Sequence, residues 1–498
     1  MNQNRKEYNT ITIFKSINII VYAFIFIILE IAIASRFTYP QLKYIIPFLI
    51  LGLLIYLFKK PFWGLVTLVI VLPFHAFLTM YAQYHFLLNG QQVFWVAFWK
   101  EMIIILLVIV ILVKSLWQRK LPFKILILDW FILALFGLGI LSIIYGTKNL
   151  GQAIWGLRTD FEFFITYFLA RSIITNKNQL KIILASILGS GVIVALFGFI
   201  QVYFLPVDYL MRFGYTWLPW VPNGPLQAYQ GLGNFVRIIS TFSGAIQLGP
   251  YLAILILLSL SLLVFIESKI IKVFLGLLSI LCLFPLYHTF TRSAWLGLTI
   301  SLFVLILILL QKSFKKISTY SKRIISIVLI VVFSAGLILG VSFLLKSAVP
   351  GGTTYFDELV LHRTSTPEHL ASITESLKTI KNNPFGSGLG TSGLVTLRFG
   401  HRSLSENWYL QIALEMGVLG LAVFIAIMVV FIRSIYRLYR DNKDNFIKGA
   451  SLGILLSFIC FSAVGLFLHA WGDNTVVALT FWILAGGLIE YQVLQKSN

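Results

Sequence analysis

Two arginines in this chain stand among apolar residues. Arg237 opens the run RIISTFSGAIQLG, and Arg292 lies in LYHTFTRSAWLGL, between two hydrophobic stretches with almost no loop to separate them. A guanidinium stays charged when water is withdrawn and grips phosphate through a fork of donors. Charge at membrane depth is costly, so such arginines mark working paths by default; the plain alternative is snorkelling to head groups. Arg158, in GLRTDFEF, has a simpler alternative in pairing with Asp160 or Glu162. Further on, Glu406 and Asn407 stand where SENWYLQIALEMG starts a new apolar run. A carboxylate there can serve as a general base facing a cavity, or only cap the helix that follows.

Two segments rich in turn and aromatic residues accompany these groups. Residues 205–243 include Tyr215, Trp217 and Trp220. Their rings can form an interfacial belt or a platform on which sugar rings stack. Residues 347–408 carry Thr366-Pro367-Glu368, a helix start, then Leu370, Ile373, Leu377 and Ile380 at helical spacing. That pattern predicts an amphipathic helix lying on the membrane or over a cavity, stopped at Asn383-Pro384. FGSGLGTSG follows, and its Gly388 and Gly390 can bring backbone amides close to an anion. A plain glycine-rich turn explains the same residues.

The elements that must hold these groups are membrane helices. The 498 residues are 59% hydrophobic and 11% charged, with a mean hydropathy of +0.91, whereas a soluble domain carries about 25% charged residues. About twenty apolar residues make a span. The chain offers about fourteen: 17–35, 43–58, 62–80, 101–117, 125–145, 160–175, 180–204, 244–266, 271–287, 293–311, 324–346, 409–432, 448–470 and 474–493. The first follows Arg5, Lys6 and Lys15 and is too long for a cleaved signal core. The expected fold is therefore all-α and polytopic. N-terminal helices fill 1–150, a core fills 151–440 with both long loops, and closing helices fill 441–498.

The net charge of +21 sets sidedness rather than nucleic-acid binding. With the N-terminus inside, 25 of the 39 basic residues fall in short inner segments, such as 312–323 and 433–448. Both termini are then cytoplasmic, and the long loops and all seven histidines face outward. Inner loops leave no room for a nucleotide-binding domain. Cys282 and Cys460 sit in apolar runs and read as core residues. No His, Cys and carboxylate group has metal-ligand spacing, so neither metal nor other cofactor is expected.

The ordered set RIISTFSGAIQLGPYL, FTRSAWLG, NPFGSGLG and SENWYLQIALEMGVLGL resembles the O-antigen ligase and polymerase superfamily of bacterial membrane glycosyltransferases. The resemblance covers roughly 155–435. It implies transfer of a polyprenyl-diphosphate-linked glycan to an acceptor glycan at the outer face of the cytoplasmic membrane, with Arg237 and Arg292 holding the diphosphate. Arg363, ahead of the amphipathic helix, joins the same set. Ligase members often carry histidine where this chain has Glu406, which favours a polymerase; His401, five residues earlier, can still substitute. A polymerase of this kind implies a chain-length regulator as partner.

Other classes fit less well. A transporter or flippase of lipid-linked glycan would show internal repeats and mid-depth sites, and the two halves show no convincing repeat. Protein-glycosylating transferases tend to carry an acidic pair in the first outer loop, where residues 36–42 have no acid. A shape-and-division type peptidoglycan polymerase is a more distant resemblance.

Overall fold

The computed structural model describes residues 46–86, 90–147, 149–206, 209–213, 215, 237–313, 365–400 and 405–497. The spans read at 17–35 and 324–346 lie outside them. Among the described residues every regular element is helical. Ile46–Lys59 forms α1, Pro61–Val71 α2, His75–His85 α3, Gly90–Ala97 α4 and Trp99–Gln118 α5. Ile127–Tyr145 (α6), Leu150–Ile173 (α7), Lys177–Tyr203 (α8), Ala245–Phe265 (α9), Lys269–His288 (α10) and Arg292–Ser313 (α11) follow. The chain resumes with Ser365–Asn382 (α12), Val395–Arg398 (α13), Trp408–Asp441 (α14), Asn445–Val464 (α15), Ala470–Asp473 (α16) and Thr475–Ser497 (α17).

Among the described residues ten helical stretches are long and apolar enough to cross a membrane, counting Pro61–His85 as one. That stretch turns through a 3-10 segment at Leu72–Phe74, where Pro73 removes a backbone donor. α9, α15 and α17 fill the centre, with few of their residues reaching the surface. Peripheral α5, α6 and α10 turn Leu116, Trp117, Ile127, Ile144 and Ile270 outward. Apolar side chains on the outside and packed ones within suit lipid as the solvent.

Two helices differ from the hydropathy reading. α7 starts at Leu150, ten residues before the expected span, because Gln152, Arg158, Asp160 and Glu162 lie within the helix and find partners on neighbours. α14 runs on to Asp441 and is broken at Gly417, whose φ of 74° only glycine adopts readily. The amphipathic segment forms α12 as expected, and Asn383 ends it.

The two ends of the bundle differ in chemistry. One carries the basic helix termini and a buried lock around Arg171, which donates from Nε to Glu490 at 2.9 Å and from Nη2 to the Lys124 carbonyl at 2.6 Å. Asp129 completes the lock, bonded by Arg171 and by the Tyr167 hydroxyl. The other end holds the link at Thr289–Thr291, the glycine-rich turn and the groups described next.

Candidate functional site

Arg237 enters the structure just ahead of α9. Its Nε donates to the Thr289 carbonyl at 2.8 Å and its Nη2 to the Thr291 hydroxyl at 3.2 Å. Thr289–Thr291 is the tight link between α10 and α11, with Phe290 held at φ 50°. Arg292 begins α11 directly after it and is exposed. The same link is tied to α9, since the Thr291 hydroxyl donates to the Ala245 carbonyl at 3.0 Å. The backbone of Ile238 adds a bond to the His288 carbonyl at 3.1 Å. Two arginines far apart in sequence are thus built onto one turn.

One step along α9, Ile246, Gln247 and Pro250 line a cavity of about 120 Å³. Glu406, Leu394, Phe461, Leu468, His469, Asp473 and Asn474 also line it, beside Val464 and Ala470. Asn474 ties this wall to α9 by donating to the Gln247 carbonyl at 2.9 Å. Glu406 does not cap α14. That role belongs to Asn407, whose Oδ1 accepts from the Leu410 amide at 3.0 Å while its Nδ2 donates to the Leu466 carbonyl at 2.9 Å. Both ends of the Asn407 amide are therefore engaged with backbone. Glu406 instead adopts φ 42°, a left-handed conformation costly for a side chain with a Cβ.

The glycine-rich turn is packed into the break of α14. The Val418 amide donates to the Pro384 carbonyl at 2.9 Å, and the Ser387 amide to the Leu414 carbonyl at 2.7 Å. Gly388 donates to the Glu415 carbonyl at 3.0 Å. Gly390 and Ser392 each donate, at 3.0 Å, to the Glu415 carboxylate. Of the two amides that sequence suggested for an external anion, that of Gly390 is taken by the Glu415 side chain and that of Gly388 by the Glu415 backbone carbonyl. Gly388 and Gly390 have φ of 100° and 75°, and a Cβ on either would strike Thr147 or the Gln152 carbonyl.

Arg158 pairs with neither acid on its own helix. Its Nε donates to Glu101 on α5 at 2.5 Å, and its guanidinium lies 4.5 Å from the Trp155 ring centroid. Glu162 takes Lys100 instead, at 2.8 Å, and Lys100 also reaches Glu101 at 2.6 Å. Two cations and two carboxylates balance there, as burial requires. Asp160 turns to α14, accepting from Gln411 Nε2 at 3.3 Å. Arg363, His401, Trp217 and Trp220 lie outside the described residues; Tyr215 is buried against Phe77.

Residues 277–425 match the family model of O-Antigen ligase. That region is similar to the O-antigen ligase family. The match spans Arg292, the glycine-rich turn, Glu406 and Glu415, and stops before His469; Arg237 and Arg158 precede it. No curated protein matches the chain. The match covers less than a third of the chain and, with ten helical stretches among the described residues long and apolar enough to cross a membrane, supports a membrane protein with an O-antigen ligase-like region.

Sequence reading missed Lys100, Glu101, Gln411, Glu415, His469 and Asp473, all inside or beside apolar runs. The signal was present: ionisable residues within spans are functional candidates on cost alone. Burial pushes His469 down to about 4, and burial together with the charge of Asp160 pushes Asp473 well above the ordinary carboxylate range.

Proposed function

We propose that this chain is a polysaccharide polymerase that transfers a polyprenyl-diphosphate-linked glycan to the end of an acceptor glycan at the outer face of the cytoplasmic membrane. The acceptor oxygen attacks the anomeric carbon and forms the new glycosidic bond. The bond from that carbon to the phosphate oxygen breaks, and its electron pair leaves with the polyprenyl diphosphate. Arg237 and Arg292 stabilise the charge that develops on the leaving group, with Arg363 a further contact on the strength of the family resemblance. Glu406 takes the acceptor's proton.

One observation carries the reading: Arg237 bonds the turn that starts Arg292's helix, and that turn and the Glu406 cavity share the first turn of α9. The arginine-bearing turn and the Glu406 cavity are joined through one turn of α9, which supports a shared site for the leaving diphosphate and the acceptor. The basic residues gather at the opposite end of the bundle, which supports placing this end outside. Glu406, where ligases often have histidine, favours chain extension over ligation, with a chain-length regulator as partner.

The test supplies the purified protein in lipid nanodiscs with lipid-linked oligosaccharide from cells lacking it, and no nucleotide sugar. Laddered polymer and released polyprenyl diphosphate are expected. Movement of intact lipid-linked glycan across a bilayer, with no new bond, would instead make the chain a transporter.

A further inference from the structure

His469 lies in the connection between α15 and α17 and is 6% exposed. Its Nδ1 is 2.7 Å from Gln411 Oε1, and the Gln411 amide nitrogen donates onward to Asp160. Asp160 also accepts from the Thr159 hydroxyl at 3.1 Å. This chain of bonds fixes the ring. With the amide nitrogen turned to Asp160, the amide oxygen faces His469, so Nδ1 carries the hydrogen and Nε2 keeps a bare lone pair. Burial holds the pKa near 4, so the ring stays neutral at physiological pH. Nε2 has no hydrogen-bond partner among the described residues, although it is buried. A buried acceptor left unpaired is costly, so such an atom is expected to meet a donor.

The cavity beside it selects what that donor is. Its polar wall consists of Glu406, Asp473, Gln247 and Asn474 with His469, so its ionisable groups are acids and a neutral imidazole. A phosphate oxygen has no proton to offer Nε2 and would face the Glu406 carboxylate. A sugar hydroxyl has the proton and carries no charge. The volume of about 120 Å³ is well below the roughly 300 Å³ and more of a pocket that takes a whole drug-sized ligand, room for one end of a sugar rather than for an oligosaccharide.

We propose that His469 is an acceptor-binding residue, its Nε2 taking a hydrogen bond from a hydroxyl of the acceptor's terminal sugar and so presenting the neighbouring hydroxyl to Glu406. This rests on the transferase reading above and adds to it a residue outside the matched family region. The imidazole takes no proton in the reaction; it positions.

His469→Leu removes the acceptor atom and His469→Gln retains one. Transfer is measured with lipid-linked oligosaccharide from cells lacking the protein, short fragments of the same polysaccharide serving as acceptor. His469→Leu should raise the acceptor KM roughly 10- to 100-fold, with binding of undecaprenyl diphosphate unchanged and His469→Gln partly restored. An acceptor KM within threefold of the parent's, or loss of undecaprenyl diphosphate binding in step with transfer, overturns the proposal. Should the variants fail to fold, nitrogen NMR of imidazole-labelled parent protein decides it: saturating fragments must shift the His469 Nε2 resonance, and an unmoved resonance rejects the role. The two readings fail separately. Undecaprenyl diphosphate binding that survives Arg237→Ala and Arg292→Ala removes the transferase reading, whereas the NMR shift reports on His469 alone.

Discussion

Arg237 donates to the Thr289 carbonyl at 2.8 Å, three residues ahead of Arg292. The bond consumes one edge of the guanidinium and leaves the group anchored to the turn that launches Arg292's helix. Displacing one arginine therefore disturbs the seat of the other, and the pair should behave as a unit rather than as two independent charges.

Arg292→Lys should keep the protein in the membrane yet fail to restore polymer. An ammonium is a point charge and cannot match two phosphate oxygens as the fork does. The check is the length distribution of polysaccharide from cells carrying the variant; a parental distribution would refute the assignment.

Sidedness is tested without touching the site. The basic clusters at 312–323 and 433–448 place the 347–408 segment outside. A phosphatase reporter fused after Gly352 should be active, and one fused after Lys316 inactive. The reverse pattern would put the loop end in the cytoplasm, away from the proposed substrate.

Gly390 and Glu415 should act as stability residues. Gly390→Ala forces a Cβ into φ 75° and against the Gln152 carbonyl, a loss of about 2–4 kcal/mol. Glu415→Ala orphans the amides of Gly390 and Ser392, at about 1–3 kcal/mol each. Both should lower the melting temperature of detergent-purified protein. Unchanged melting with lost transfer would return these amides to a substrate phosphate.

Much of this architecture was legible beforehand, for identifiable reasons. Long apolar runs bounded by basic residues fix spans such as 180–204 and 271–287 to within a few residues of α8 and α10. The start of the amphipathic helix α12 was readable from Thr366-Pro367-Glu368. The break at Gly417 was not, because glycine in MGVLGL leaves hydropathy untouched and only the docking of Pro384 and Gly386 demands it. Arg237, Arg292 and Glu406 announced themselves as charges against an apolar background. His469 and Gln411 did not, since one polar residue near the end of an apolar run resembles any helix terminus until its partner across the bundle is known.

His469 gives a pH dependence whose sign can be worked out. Its ordinary value of 6.5 falls to about 4 in the folded protein, so between these values the unfolded chain binds more protons. Its contribution is full above pH 6.5 and is lost as pH falls toward 4, on the order of 3 kcal/mol in all. Asp473, on the same cavity and shifted upward, works in the opposite direction, its contribution lost as pH rises through its folded value. Comparing the parent with His469→Gln, which keeps Asp473, isolates the histidine. The parent should lose more thermal stability than the variant between pH 6.5 and 4, and parallel melting curves would show that the ring is not held neutral.

Glu406 is where stability and function separate most cleanly. Its φ of 42° is unfavourable for any residue but glycine, and the capping role belongs to Asn407. Glu406→Gly should therefore leave stability unchanged or raise it by up to about 1 kcal/mol, while removing transfer. Glu406→Gln keeps the shape and the strain, so expression and melting should match the parent. If the carboxylate takes the acceptor's proton, transfer by Glu406→Gln should nonetheless slow by roughly 10²–10⁴-fold, the usual worth of a positioned base. Glu406→His restores the group that ligase members often carry, and partial recovery would show that the position needs a proton acceptor rather than a carboxylate as such. Purified variants supplied with lipid-linked oligosaccharide, and polymer read by gel laddering, decide the matter. Full activity in Glu406→Gln would end the assignment and move it to His401.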